Sequence, residues 1–206
     1  MIKAIKPENW EEYELIDSGN GMKLEKFAGQ ILSRPEPQAI WNTRMSQKEW
    51  KEILTASFAQ EGSHKGVWNH VSKLRPWYIH YKLSDQRIKM KLNFTQFKHV
   101  GIFPEQAANW DYIYEKSRAF NGKGSVLNLF AYTGGASLAA KAAEMDVVHV
   151  DSIKQVVSWA NENQGHSKLK GIRWVVEDAL KFVSREVKRG KKYQGIILDP
   201  PAYGIG

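Results

Sequence analysis

Four short apolar runs in the C-terminal part of the chain restrict the fold more than anything else in the sequence. They are Ser125-Val126-Leu127-Asn128-Leu129-Phe130, Val147-Val148-His149-Val150-Asp151, Ile172 to Val176, and Gly195-Ile196-Ile197-Leu198-Asp199. Each is apolar at successive positions rather than alternate ones, so both faces must be covered. Between them lie helical patterns: alanine-rich Ala136 to Ala143, then Ile153, Val156, Val157 and Ala160, then Leu180, Val183 and Val187. Strands buried on both faces and separated by helices join through right-handed crossovers into a parallel sheet. The pattern predicts half of a doubly wound α/β domain.

The chain ahead of Gly122-Lys123-Gly124 has another texture, with short alternating runs rich in tryptophan and tyrosine. Tyr13 to Asp17 and Met22 to Phe27 read as a hairpin turning at Ser18-Gly19-Asn20-Gly21. Pro35 and Pro37 interrupt the chain. Ser46-Gln47-Lys48-Glu49 is a capping box, in which serine and glutamate each satisfy an orphan backbone donor. Trp50, Ile53, Leu54 and Phe58 are expected on one face of the helix that follows. Trp77 to Leu83 and Ile88 to Phe94 form a second hairpin around Ser84 to Arg87. The expectation is a small α+β, β-rich module over residues 1–95 and an α/β domain over 96–206.

Composition narrows the function classes. The 206 residues include no cysteine, which excludes disulfides, thiolate metal sites and a cysteine nucleophile within this chain. No metal site is expected. The charged start Met1-Ile2-Lys3-Ala4-Ile5-Lys6-Pro7 is unlike a signal peptide. No run approaches the roughly 20 apolar residues needed to span a bilayer, so a soluble cytoplasmic protein is expected, with no membrane partner. A net charge of +8 suggests an acidic partner. One basic cluster is Lys181, Arg185, Lys188, Arg189, Lys191 and Lys192. Another, Lys82, Arg87, Lys89, Lys91 and Lys98, is interleaved with Tyr78, Tyr81, Phe94 and Phe97, as in surfaces on which bases stack. A solvated charged face explains either cluster equally well.

Ligands of such a sheet bind beyond the carboxyl ends of its strands. The first strand ends in Phe130-Ala131-Tyr132-Thr133-Gly134-Gly135, whose glycines admit a ligand close to the backbone and to a helix N-terminus. The second ends in Asp151, a carboxylate able to accept both hydroxyls of a ribose, with Ser152 left to cap the next helix. Asp178 opens the helix after the third strand, where it either caps or meets an adenine amino group. The fourth strand leads into Leu198-Asp199-Pro200-Pro201-Ala202-Tyr203. Two prolines remove two backbone donors and leave carbonyls as acceptors. With Asp199 before them and Tyr203 after, they make a slot in which a flat base can stack and hydrogen-bond. A nicotinamide site would need Gly-x-Gly-x-x-Gly after the first strand, and residues 128–135 lack it.

These segments, with Trp159-Ala160-Asn161-Glu162-Asn163 and Gly101 to Gln106, resemble the class I S-adenosylmethionine-dependent methyltransferases. Within that class the chain is most similar to the bacterial large-subunit ribosomal RNA methyltransferases of the cytosine-C5 and guanine-N7 kinds. The resemblance covers residues 100–206 well and residues 1–95 loosely. Asn128 and Phe130 depart from the commoner acid-x-Gly-x-Gly signature. The resemblance implies a Rossmann-like sheet in the order 3-2-1-4, S-adenosyl-L-methionine as cofactor, and RNA, ribosomal above all, as substrate. It assigns Phe130, Tyr132, Thr133, Gly134, Gly135, Asp151, Ser152, Asp178 and Ala179 to the cofactor. Asp199, Pro200, Pro201 and Tyr203 fall on the substrate side. A catalytically dead nucleic-acid-binding relative, or a methyltransferase of proteins or small molecules, fits the same motifs. The class is similar in carrying three more strands, so the chain reads as truncated by about 80 residues. Its fourth strand is then an apolar edge expected to pair in a homodimer or aggregate.

Overall fold

The computed structural model describes residues 5–61, 65–70 and 75–201. In chain order the elements are β1 (Tyr13–Gly19), β2 (Met22–Phe27), β3 (Gln30–Pro35), α1 (Gln47–Ile53), β4 (Ala56–Glu61), β5 (Lys65–His70), β6 (Trp77–Leu83) and β7 (Gln86–Leu92). A single 3-10 turn (Pro104–Gln106) leads into α2 (Ala107–Arg118), followed by β8 (Ser125–Leu129), α3 (Gly135–Ala142), β9 (Asp146–Asp151), α4 (Lys154–His166), β10 (Arg173–Val176), α5 (Ala179–Lys188) and β11 (Gly195–Leu198). The chain divides into two compact units. One comprises residues up to Asn9, Lys82–Met90 and everything from Glu105; the other comprises Trp10–Tyr81 and Lys91–Pro104.

The first unit holds the parallel sheet, in the order β10-β9-β8-β11. This is the expected 3-2-1-4. Val126, Leu127, Asn128 and Leu129 of β8 are all buried, as a strand covered on both faces requires. Leu127, Leu129, Val150, Ala179 and Phe182 form a core on one side, with Val148, Val175, Val183 and Tyr193 against it. Small residues let α3 lie close to the strands, and Ser137, Leu138, Ala139 and Ala140 are all buried. Helix α2, which no pattern above announced, packs Ala107, Trp110, Tyr114 and Ser117 inward. Strand β11 pairs only with β8 among the described residues, and Ile196 and Leu198 are 64% and 60% exposed.

The second unit holds a five-stranded sheet, β1-β2-β3-β4-β5, antiparallel except between β3 and β4. That one parallel pair exists because α1 carries the chain across. Ser46 and Glu49 form the expected capping box. The helix is shorter than the apolar spacing suggested. It stops at Ile53, and Phe58 belongs to β4, where it is buried against Trp68. Thr55 explains the stop: its N–H donates to Ile31 O, and its Oγ1 accepts from Ile31 N–H, which ties the chain to β3. The β6–β7 hairpin forms around a Ser84-Asp85 turn, with Ser84 in the left-handed region at φ 48°. Among the described residues no helix is long and apolar enough to cross a membrane.

Candidate active site

The strand order places Phe130–Gly135, Asp151, Asp178 and Asp199 at the carboxyl ends of four neighbouring strands. Direct bonds draw three of these ends together. Asp151 Oδ2 accepts from Tyr132 N–H at 3.0 Å and Oδ1 from Ile153 N–H at 3.0 Å. Ala131 N–H donates to Val150 O, and Glu177 N–H donates to Asp151 O. Asp151 stays half-buried, and each of its oxygens keeps acceptor capacity beyond its one amide bond.

The loop after β8 carries a signal that residue types could not announce. Phe130 and Tyr132 lie in the left-handed region, at φ 54° and 49°, with Gly134 following at 93°. For two bulky aromatic residues that conformation costs on the order of 1–3 kcal/mol each, and such strain gathers at functional sites. The loop's amides are engaged within the protein, Ala131 N–H with Val150 O, Tyr132 N–H with Asp151 and Gly134 N–H with Ala131 O.

The glycines have another explanation than the one expected from sequence. A methyl group on Gly134 would stand 3.1 Å from Ala160 Cβ, and one on Gly135 only 2.5 Å from Trp110 Cζ2. Their missing side chains make room for α4 and α2. Beneath them runs a buried chain in which Asn128 Nδ2 donates to Ser137 Oγ (2.8 Å), which meets His149 Nδ1 at 3.0 Å. Burial pushes the His149 pKa down to about 3, so the ring is neutral. Asn163 Nδ2 donates to Thr133 O and holds the loop from α4.

Ser152 does not cap α4 as expected. It is exposed, and the cap position is Ile153, whose N–H is held by Asp151. Asp178 does cap α5, its Oδ1 accepting from Lys181 N–H at 3.0 Å, and Ala179 is buried behind it. Asp199 is exposed, and its Oδ2 accepts from Gln106 Nε2 at 3.0 Å. Gln106 Oε1 in turn accepts from Asn109 Nδ2 at 2.7 Å. These two amides come from the start of α2, far away in sequence; Gln106 closes the Gly101 to Gln106 segment, but nothing in the sequence tied it to Asp199. Pro200 and Pro201 are exposed. Tyr203 lies outside the described residues.

Both basic clusters look different once folded. Arg185 pairs with Glu177 and Arg189 with Glu186, so two of the six cations around α5 are already matched. Lys191 and Lys192 precede the amino end of β11, the opposite end of that strand from Asp199. In the second cluster the aromatics divide: Tyr81 is fully buried and Phe94 packs against Trp68 and Trp77, while Tyr78 and Phe97 stay exposed. No group of metal-binding side chains occurs among the described residues.

The donor set fits S-adenosylmethionine. A carboxylate fixed by two amides stands at the end of β9, beside a strained loop at the end of β8, with a second carboxylate at the start of α5. This topology is the class I methyltransferase fold. The chain is similar to the ribosomal RNA large subunit methyltransferase K/L of Shewanella frigidimarina, 32% identical over 98% of its own length and 30% of that protein. The solved S-adenosylmethionine-dependent methyltransferase from Agrobacterium tumefaciens superposes with a TM-score of 0.90 at 37% identity, covering 99% of this chain and 65% of that one. A structure from Streptococcus mutans shares the fold alone, at TM-score 0.71 and 17% identity over 94% of this chain and 53% of that one. No protein-family model matches. The chain thus spans about a third of the curated relatives it matches.

Proposed function

We propose that the protein takes part in S-adenosylmethionine-dependent methyl transfer to a nucleobase of RNA, ribosomal RNA in the first place, in the cytoplasm. The observation that carries this reading is Asp151, fixed by Tyr132 and Ile153 amides at the end of β9 with acceptor capacity to spare. The K/L name of the relatives, with the +8 charge, supports RNA as substrate. Residues 96–206 are read as the cofactor domain and residues 1–95 as an accessory module.

The bound cofactor supplies a methyl group already activated on a sulfonium, so the protein's task is alignment. Asp151 accepts from the ribose hydroxyls. The Phe130–Gly135 loop, with Ser152 beside it, holds the amino-acid portion. Asp178 and Ala179 border the adenine. Asp199, steadied by Gln106, accepts from an exocyclic amine of the target base, with the carbonyls around Pro200 and Pro201 as further acceptors and Tyr203 as the stacking ring. A homodimer through the free edge of β11 belongs to the same reading.

Tritiated S-adenosylmethionine incubated with the protein and total RNA, with and without ribonuclease, tests this proposal. Ribonuclease-sensitive incorporation is expected. Incorporation that survives ribonuclease would move the substrate to protein or a small molecule. Cofactor binding without incorporation into any RNA would favour a non-catalytic relative.

A further inference from the structure

The β-rich unit contains a built pocket that the methyl-transfer reading does not use. It is a cavity of about 180 Å³ lined by Leu15, Asp17, Ser18, Trp41 and Arg44. That is smaller than the roughly 300 Å³ at which drug-sized sites begin, and suits a single flat ring. Trp41 is 55% exposed, yet its indole is fixed, Nε1 donating to Ser18 O at 2.9 Å. Among the described residues no other ring stacks on it. Leu15, half exposed, stands on β1 where the pairing with β2 shifts register between Leu15 and Asp17. Such bulges re-aim side chains and gather next to sites.

Everything beneath the pocket is satisfied. Asp17 is 2% exposed and accepts from the N–H groups of Ser18, Arg44 and Met45 and from Trp50 Nε1. Asn20 N–H donates to Trp41 O and Gly21 N–H to Ala39 O. A methyl group on Gly19 would lie 2.5 Å from Thr43 N, so only glycine lets this loop approach β1 so closely. Arg44 Nη2 donates to Ile16 O, and Nε stands 3.6 Å from Asp17 Oδ1. Its side chain nevertheless remains 80% exposed. A rigid indole face, an apolar wall and a held but open guanidinium are therefore presented together before any ligand arrives. Groups held in place before binding lose less freedom when a ligand arrives.

We propose that Trp41, Leu15 and Arg44 form a binding site for an unpaired nucleobase of RNA, the base stacking on Trp41 and its phosphate meeting Arg44. The proposal rests on RNA being the substrate. It adds a contact in the β-rich unit that selects single-stranded RNA by stacking rather than by base-edge readout. Indole and guanidinium are the pair that single-strand binders combine, and base stacking on an aromatic ring is worth about 1–3 kcal/mol. The +8 charge of the chain adds a sequence-independent attraction for the backbone.

The test is fluorescence anisotropy with a labelled single-stranded RNA of about ten nucleotides, a length of the order that single-strand sites cover. Trp41→Ala is expected to weaken binding by roughly 5- to 150-fold. Trp41→Phe should restore most of it, and affinity for S-adenosylmethionine should not change. Arg44→Gln should lower the slope of log affinity against log salt by about 1. Photocross-linking of the wild-type protein to a 4-thiouridine oligonucleotide should label the peptide carrying Trp41, a result independent of whether any variant folds. Equal binding by wild type and folded Trp41→Ala, or by an abasic oligonucleotide, would overturn the pocket while leaving RNA methylation standing. A wild-type protein that binds no RNA at all would overturn both.

Discussion

In the β-rich unit the buried carboxylates are saturated, whereas those at the ends of the parallel strands are not. Glu25 is fully buried and takes Tyr13 Oη at 2.9 Å and two donors of Arg34 at 2.8 and 2.6 Å. Asp17 takes four hydrogen bonds and an arginine. Among the described residues Asp151 takes two amides and Asp199 one side-chain amide. An ionised carboxylate has about four acceptor sites. The first pair is therefore part of the framework, and the second pair keeps acceptor capacity open to solvent or a ligand. Acidic residues that look alike in the sequence are separated by how many of their lone pairs the fold consumes.

The sharpest way to break that comparison is to strip Glu25 of its partner. Arg34→Met leaves a buried carboxylate with only Tyr13 Oη and, at 3.6 Å, Lys23 Nζ against it, and should cost up to about 3–5 kcal/mol. Urea unfolding followed by tryptophan fluorescence checks it, and a loss below about 1 kcal/mol would show Glu25 to be less confined than its contacts imply. Acid titration is the second test. Burial raises the Asp17 pKa, but hydrogen bonds from Met45, Trp50, Arg44 and Ser18 outweigh it and hold the group at about 2. The folded value lies below the unfolded one, so the stabilisation is present above about pH 4 and disappears as pH falls toward 2. It amounts to about 2 kcal/mol. Wild type should lose that increment over this window, and Asp17→Asn, already less stable, should show a flatter profile.

Asp151 offers the converse test. Asp151→Ala should weaken S-adenosylmethionine by roughly tenfold or more, in line with a lost charge-assisted pair of about 1–3 kcal/mol. Calorimetry giving equal affinity for mutant and wild type would place Asp151 with the framework carboxylates. The smallest effect is expected at an exposed cap. Ser46→Ala removes the acceptor for Glu49 N–H and should lower stability by about 1 kcal/mol, read as a shift in the urea midpoint with cofactor affinity unchanged.

The parallel sheet was legible because its strands are buried on both faces, a condition that leaves a continuous apolar signature. The capping box at Ser46 was legible because it is local. Helix α2 was not, since its buried face mixes Ala107 and Ser117 with Trp110 and Tyr114 and so lacks a clear apolar stripe. The end of α1 was set by Thr55 bonding to Ile31, a partner 24 residues away. The same kind of distance, 93 residues, hid the bond between Gln106 and Asp199.

The sequence by itself determined the order of strands and helices from Ser125 onward, the strand-end acids and the glycines, since these follow from periodicity and from residue types that few positions tolerate. The tertiary structure alone decided what each was for. It gave Gly134 and Gly135 to helix packing, put the strain on Phe130 and Tyr132, and turned Asp151 into the clasp of two loops. It also left Trp41 facing water while burying Tyr81. Backbone dihedrals and hydrogen-bond partners are fixed by neighbours brought together across the chain, and no local pattern of residues encodes who those neighbours will be.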